Sequence, residues 1–457
     1  MTRRTALTAE HGAASDPWTL ATGAWLTVTL CFAVMVVEGF DIQAMGVAAP
    51  SLGPELKLSR EVLGQALSAS NIGLVIGAII GGWLADVFGR RPVLIASVIT
   101  FGVFTMMTMQ ARSFDTLFAA RLMTGLGFGG ALPNVMAIAA DVAPGNRRGS
   151  IAAMMFCGMP AGGSIVALLS WLGYRGEWRP LFLIGGIIPL ALAPILVFFM
   201  RETQSPERRP ATLAAAVPWL AAAPLALLSW WLLGRVGRLP GAASVGGVVA
   251  PWLGGVLGLL GGYLIAHRGP LFGGGRAQSS VALWVTFFPT LLVLYLVLNW
   301  LPTLVAAKGY AEDASLSSVL FNLVSVLGAF CFGPLVDRFG LRWPLTLGFL
   351  GLAGTLIALG QATEFAAIMA LSGALGFFLL GCNYAAYGAA ASYYPAEMRG
   401  RGSGAAIAWG RLGSVAGPLI GGYLLQAGSA PDQVVLAMAP FAVLAAAGVF
   451  WLTLTGS

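Results

Sequence analysis

Charge is what this sequence has least of: Asp, Glu, Lys and Arg make up 9% of its 457 residues, where a soluble domain carries about 25%. A water-facing surface cannot be built from so little charge. Soluble enzymes, nucleic-acid binders and secreted disulfide scaffolds are therefore excluded. Histidine is nearly absent, with His11 and His267 alone. The four cysteines, Cys31, Cys157, Cys331 and Cys382, lie singly in apolar stretches with no CxxC spacing and read as small packing residues. A metal centre has no ligand set to draw on, and no cofactor is expected. No GxxxxGK[ST] loop occurs, which excludes energy from ATP within this chain. A nucleophile–base pair is missing too, so a membrane-embedded enzyme finds no support.

What is present is apolar: 58% of residues are hydrophobic and the mean hydropathy is +0.84. The apolar residues come in blocks of about 20, the length a helix needs to cross a bilayer core. Spanning strands would alternate polar and apolar residues, so the fold class is an all-α polytopic membrane protein. Blocks fall near residues 24–50, 61–83, 93–110, 114–140, 150–173 and 179–200, then 280–303, 315–336, 345–362, 366–391, 403–427 and 432–455. The first is too long for a signal peptide and lacks a cleavage site, so it reads as an uncleaved span. The expected organisation is a cytoplasmic tail (1–22), a six-helix bundle (23–200), a central linker (201–279) and a second six-helix bundle (280–457).

The linker carries two further apolar stretches, 211–233 and 242–266. Pro218, Pro224 and several glycines make them poor helices. They either add a hairpin of two spans or lie in the interface. The hairpin is the preferred reading, although it would turn Arg235 and Arg238 outward.

The net charge of +7 forms no basic patch, because Lys and Arg come in ones and twos between the blocks. With the N-terminus in the cytoplasm, fifteen of them fall inside and six outside, leaving aside the linker pair and two within spans. That bias follows the positive-inside rule and places both termini in the cytoplasm of a cell inner membrane.

The sequence also repeats itself. Gly82-Trp-Leu-Ala-Asp86-Val-Phe88-Gly89 returns as Gly333-Pro-Leu-Val-Asp337-Arg-Phe339-Gly340, and Pro144-Gly-Asn-Arg-Arg148-Gly149 returns as Pro395-Ala-Glu-Met-Arg399-Gly400, both offset by 251 residues. One offset shared by two motifs marks parallel six-span repeats, with a binding site expected between them near the midplane. Both repeated loops must share a side, so the linker crosses an even number of times.

The segment from Gly82 to Arg91 resembles the loop between spans two and three of the major facilitator superfamily. Arg121-Leu-Met-Thr-Gly125-Leu-Gly127-Phe-Gly129-Gly-Ala-Leu-Pro133-Asn134 and Glu38-Gly-Phe-Asp41-Ile-Gln43-Ala-Met-Gly46 resemble spans four and one of its aromatic acid:proton symporters. The second motif is most similar to those carrying 3-(3-hydroxyphenyl)propionate. Tyr387-Gly388 and Tyr394-Pro395 through Gly413 resemble the same subgroup. The family often has Asp where this chain has Glu38, and its central loop is normally polar. The resemblance implies a major facilitator fold and proton-coupled uptake of an aromatic carboxylate. A proton-coupled efflux antiporter shares the superfamily loop and an intramembrane acid, and stands as the alternative.

Four charges sit inside spans: Glu38, Asp41, Arg121 and Arg411. Each costs roughly 2.5–3.5 kcal/mol to insert, which marks it as functional by default. Glu38 and Asp41 lie three apart on one helical face. Two carboxylates in a low-dielectric cavity repel, and one relieves the repulsion by holding a proton. Proton coupling is thus expected at Glu38, Asp41 and Arg121, with Arg411 as counter-ion for the substrate. Gln43, Asn134, Asn322, Asn383, Tyr384 and Tyr387 are the other binding candidates, followed by Phe40, Asn299, Trp300 and Trp409. Gly82, Asp86, Gly89, Arg90, Asp337 and Arg338 form the expected gating motif, with Asp86 as a latch and Gly82 and Gly89 permitting close helix approach. The expected partners are a small aromatic carboxylate, protons and the lipid bilayer. The chain is expected to act as a monomer.

Overall fold

The computed structural model describes residues 22–143, 148–174, 176–200, 202–203, 276–394 and 399–455. Among them, 89% are helical and none lies in a strand. The helices are α1 (Thr22–Glu55), α2 (Arg60–Phe88), α3 (Arg90–Thr108), α4 (Phe114–Val142), α5 (Arg148–Leu172) and α6 (Arg179–Phe199). The second half holds α7 (Ala277–Ala307), α8 (Ala314–Phe339), α9 (Arg342–Gln361), α10 (Phe365–Ala390), α11 (Arg399–Gln426), α12 (Pro431–Leu436) and α13 (Ala439–Thr455).

Among the described residues, eleven spans are long and apolar enough to cross a membrane, the last running through α12 and α13. The twelfth is α11. Its 28 residues are ample in length, but Arg411 and eight glycines dilute its hydropathy. Expected and observed spans match one for one, with ends shifted by a few residues where caps decide them. Ser113 and Thr116 close a capping box that starts α4 at Phe114, and Ser59 accepts a hydrogen bond from the Val62 amide to start α2.

The repeat shows in the packing. Helix α2 packs on α4, α1 on α5 and α3 on α6; the second half repeats this as α8 on α10, α7 on α11 and α9 on α13. The halves join through α1–α7, α2–α11 and α5–α8, and a swap of halves maps the last two contacts onto each other. Gly89 and Gly340, one repeat apart, both reverse the chain at positive φ, 95° and 74°. Glycine takes this conformation without a Cβ penalty, which is why both copies of the motif end in it.

Close approach falls on other glycines. Gly73, Gly77 and Gly81 line one face of α2, and a Cβ on any of them would run into the α4 backbone. Gly82 faces open space. The close approach expected at Gly82 is therefore corrected to Gly81, because a one-residue step turns a helical side chain by about 100°.

The Gly89 and Gly340 turns define one face of the bundle. On the opposite face the halves are closed: Trp171 Nε1 donates to Asp313 Oδ1 at 2.9 Å, and the Ser170 and Ser315 hydroxyls lie 3.1 Å apart. Gly64 and Gly422 meet there between α2 and α11. On the motif face the halves part around a cavity of about 1760 Å³.

Both described ends of the linker lie on the motif face. Thr203 donates to Asp141 at the end of α4, and Ser280 bonds the Tyr394 hydroxyl just past α10. The tail, the two apolar linker stretches and the repeated Pro144 and Pro395 loops lie outside the described residues.

Candidate functional site

The buried charges come first. Asp41 on α1 and Arg121 on α4 form a bidentate pair: Nη1 reaches Oδ1 at 3.1 Å and Nη2 reaches Oδ2 at 2.7 Å. Neither side chain is exposed to solvent. Thr105 on α3 donates to Asp41 Oδ1 at 2.7 Å, and the Phe182 ring of α6 lies 5.6 Å from the guanidinium. Four helices of the first half thus converge on one ion pair, which lines neither cavity described here. With both carboxylate oxygens engaged, Arg121 is a partner for Asp41.

Glu38, one turn earlier on α1, is equally buried, yet neither of its oxygens has a hydrogen-bond partner. The charges acting on it are Arg411, which attracts, and Asp41, which repels. Glu38 is thus the free carboxylate and Asp41 the clamped one.

Where the halves meet, a chamber of about 60 Å³ lies next to the larger cavity; Leu132, Phe156, Tyr384, Tyr387 and Arg411 line both. Arg411 lies about three turns into α11, and its Nη1 donates to the Tyr295 hydroxyl of α7 at 2.8 Å. Gln43 and Asn322 link the halves. Gln43 Nε2 donates to the Leu298 carbonyl and to Ser318 Oγ, while Asn322 Nδ2 reaches Gln43 Oε1 at 3.4 Å and the Ser318 carbonyl at 2.8 Å. Asn383 also lines the chamber.

Other candidates lie elsewhere. Asn134 donates to the Gly130 carbonyl of its own helix at 2.8 Å and lines neither cavity. Asn299 does the same with Tyr295, and Trp300 donates to the Pro418 carbonyl at 2.9 Å. Phe40 packs beside Gly185, and Trp409 stacks on Trp284 at 5.1 Å. In this conformation these five make contacts within the bundle.

Four contributors carry no mark in the sequence. Phe156 on α5 stacks on Tyr384 at 5.3 Å and on Tyr387 at 5.7 Å, bridging the halves. Phe287 covers the other side of Tyr387 at 5.0 Å. Tyr295 and Thr105 complete the arginine and aspartate sites. All four sit in apolar runs. Only the polar tip of Tyr295 within Leu-Tyr-Leu hints at a buried partner.

The gating motif is split. Arg90 pairs with Asp141, the Arg91 amide donates to Glu202 Oε2 at 3.2 Å, and the Arg91 guanidinium reaches the Val197 carbonyl. Asp86 and Asp337 are exposed and make no hydrogen bond among the described residues. Arg338 lies over the Phe339 ring at 5.3 Å. Among the described residues, the latch expected at Asp86 finds no partner.

An arginine at the junction of two pseudo-symmetric halves, beside stacked rings and a cavity open to one face, is the layout of a carrier. The comparisons agree. The model of the Major Facilitator Superfamily matches residues 31–320 and again 283–457. The chain is 33% identical to the 3-(3-hydroxy-phenyl)propionate transporter of Escherichia coli, over 93% of each chain. It is 32% identical to the 4-hydroxybenzoate transporter PcaK of Pseudomonas aeruginosa, over 93% of this chain and 91% of that one. Among solved structures, a POT family transporter in complex with a thioalcohol-conjugated peptide superposes with a TM-score of 0.70 at 14% identity, covering 92% of this chain and 94% of that one. The chain belongs to the Major Facilitator Superfamily and is a multi-pass membrane transporter, not an enzyme.

Proposed function

We propose that the protein takes up a small aromatic carboxylate together with protons, by alternating access between the bundles 23–200 and 280–457. The observation that carries this reading is Arg411. It is a permanent cation at the meeting of the halves, steadied by Tyr295 and bordered by Tyr384, Tyr387 and Phe156. A carboxylate is the natural partner of such a guanidinium, and stacked rings suit a flat aromatic body. The substrates named for the two relatives above, 3-(3-hydroxyphenyl)propionate and 4-hydroxybenzoate, are of this chemistry.

The two acids divide the proton work. Asp41 is clamped by Arg121 and Thr105 and acts as scaffold. Glu38 has no partner to lose when it exchanges a proton, and an unpaired carboxylate buried away from water is far cheaper neutral than ionised. Arg411 acts on Glu38 electrostatically, so arrival of a substrate anion at Arg411 and protonation at Glu38 favour each other.

The motif face, toward which the positive-inside rule directs the arginines, is taken as cytoplasmic, with both termini on that side of the inner membrane. The conformation is then inward-open. Outward opening breaks the Trp171–Asp313 and Ser170–Ser315 contacts and closes the motif face instead. One copy of the chain contains the whole site, so a monomer suffices.

The test is reconstitution in liposomes with acid outside, following radiolabelled 3-(3-hydroxyphenyl)propionate, benzoate and 4-hydroxybenzoate with a protonophore control. Protonophore-sensitive accumulation of one acid is the expected result. Extrusion of acids or lipophilic drugs against the gradient would turn the reading to efflux.

A further inference from the structure

Of the polar side chains lining the chamber, one has an atom left over. Gln43 is spent on Leu298, Ser318 and Asn322, and Arg411 is joined to Tyr295. Asn383 is 2% exposed; its side chain already hydrogen-bonds Tyr387, and its Oδ1 alone has no partner. The remaining chamber residues, Tyr384 and Tyr387 included, contribute no buried polar atom in that condition. A buried acceptor without a donor is costly, and proteins rarely keep one without a reason.

Placement supplies the reason. Asn383 and Tyr387 lie four apart on α10, hence on one face of the helix. Tyr387 belongs to the ring stack with Phe156 and borders both Arg411 and the chamber. A ring seated against that stack with its carboxylate on Arg411 turns its far side toward other chamber residues. Among them Asn383 Oδ1 can accept a hydrogen bond and has none.

We propose that Asn383 is the residue of this chain that selects for a ring hydroxyl on the substrate. This inference rests on the uptake reading above and deepens it. The phenol O–H donates to Asn383 Oδ1, which accepts. An analogue lacking the hydroxyl leaves that acceptor stranded, and sites built to bond a substrate hydroxyl reject such analogues strongly.

The experiment is equilibrium binding to the full-length protein in nanodiscs with two matched pairs, 4-hydroxybenzoate against 4-fluorobenzoate and 3-(3-hydroxyphenyl)propionate against 3-phenylpropionate. The wild type is expected to prefer the hydroxylated acid by about tenfold or more in at least one pair. Asn383→Leu is expected to bring that ratio to about threefold or less. Equal wild-type affinity within both pairs overturns the proposal without any variant, so it stays falsifiable even if Asn383→Leu fails to fold. A full preference kept by Asn383→Leu overturns it as well. Wild-type protein that binds none of the four acids brings down the aromatic-acid reading itself, a result distinct from equal binding.

Discussion

Arg121 holds Asp41 by two hydrogen bonds, 3.1 and 2.7 Å long, with no solvent access to either side chain. In such a pair the cost of removing one partner exceeds the worth of the pair, because a charge is left buried alone. Arg121→Ala is expected to destabilise the protein by roughly 3–5 kcal/mol. The double variant Asp41→Asn/Arg121→Gln, which buries no lone charge, is expected to recover much of that loss. Thermal unfolding in detergent reads both. An Arg121→Ala protein that melts with the wild type would show that the pair is not structural.

Glu38 and Asp41 are separable by assay. Glu38→Gln keeps the shape and removes the proton exchange. It is expected to fold normally and to exchange labelled for unlabelled substrate, yet to lose accumulation driven by a pH gradient. Asp41→Asn is expected to lose accumulation together with folded yield, since it frees Arg121. Counterflow and gradient-driven uptake in the same proteoliposomes separate the two. Gradient-driven uptake that survives in Glu38→Gln would move the proton site elsewhere.

The span order, the repeat and the four buried charges were legible because each leaves a periodic or costly mark. Hydrophobic length marks a span, a shared offset of 251 marks a repeat, and an ionised residue in an apolar run stands out by itself. The division between Glu38 and Asp41 was not legible. It depends on Thr105 and Arg121 reaching one carboxylate and missing the other, and three residues of separation place both on the same face. Phe156 was hidden for another reason: an aromatic in an apolar run looks alike whether it meets lipid or the opposite half. Asn134 shows the converse, since a buried amide can satisfy itself on its own helix. The conformation is a property of packing between the halves and leaves no trace in local pattern.

Helix α2 separates two kinds of glycine. A Cβ at Gly77 would enter the backbone of α4 at Leu126, whereas at Gly82 it meets nothing. Overpacking costs about 1–3 kcal/mol where neighbours can shift, and a backbone shifts less readily than a side chain. Gly77→Val is expected to collapse the folded yield, and Gly82→Val to leave it near wild type. Size-exclusion profiles of fluorescent fusions give the comparison. Equal yields would mean that α2 and α4 are not held as closely as described.

The closed face offers a last prediction. Trp171 of α5 donates to Asp313 at the start of α8, joining the halves at 2.9 Å, and this bond exists only while that face is shut. A hydrogen bond to a charged group contributes about 1.5–3 kcal/mol, and a neutral one about 0.5–1.5 kcal/mol. Partial exposure places this one toward the lower range. Trp171→Phe, which keeps the ring and drops the donor, is therefore expected to raise the population open on that face by roughly twofold to tenfold. Spin labels at Gln110→Cys and Ala311→Cys, exposed positions on the α3–α4 and α7–α8 turns of the two halves, report the opening as a longer distance component in electron–electron resonance. The background replaces Cys157 and Cys331 by serine, since Cys31 and Cys382 are buried. An unchanged distance distribution in Trp171→Phe would assign closure of this face to the remaining contacts, the Ser170–Ser315 hydroxyls and the Gly64–Gly422 approach, and not to the Trp171–Asp313 bond.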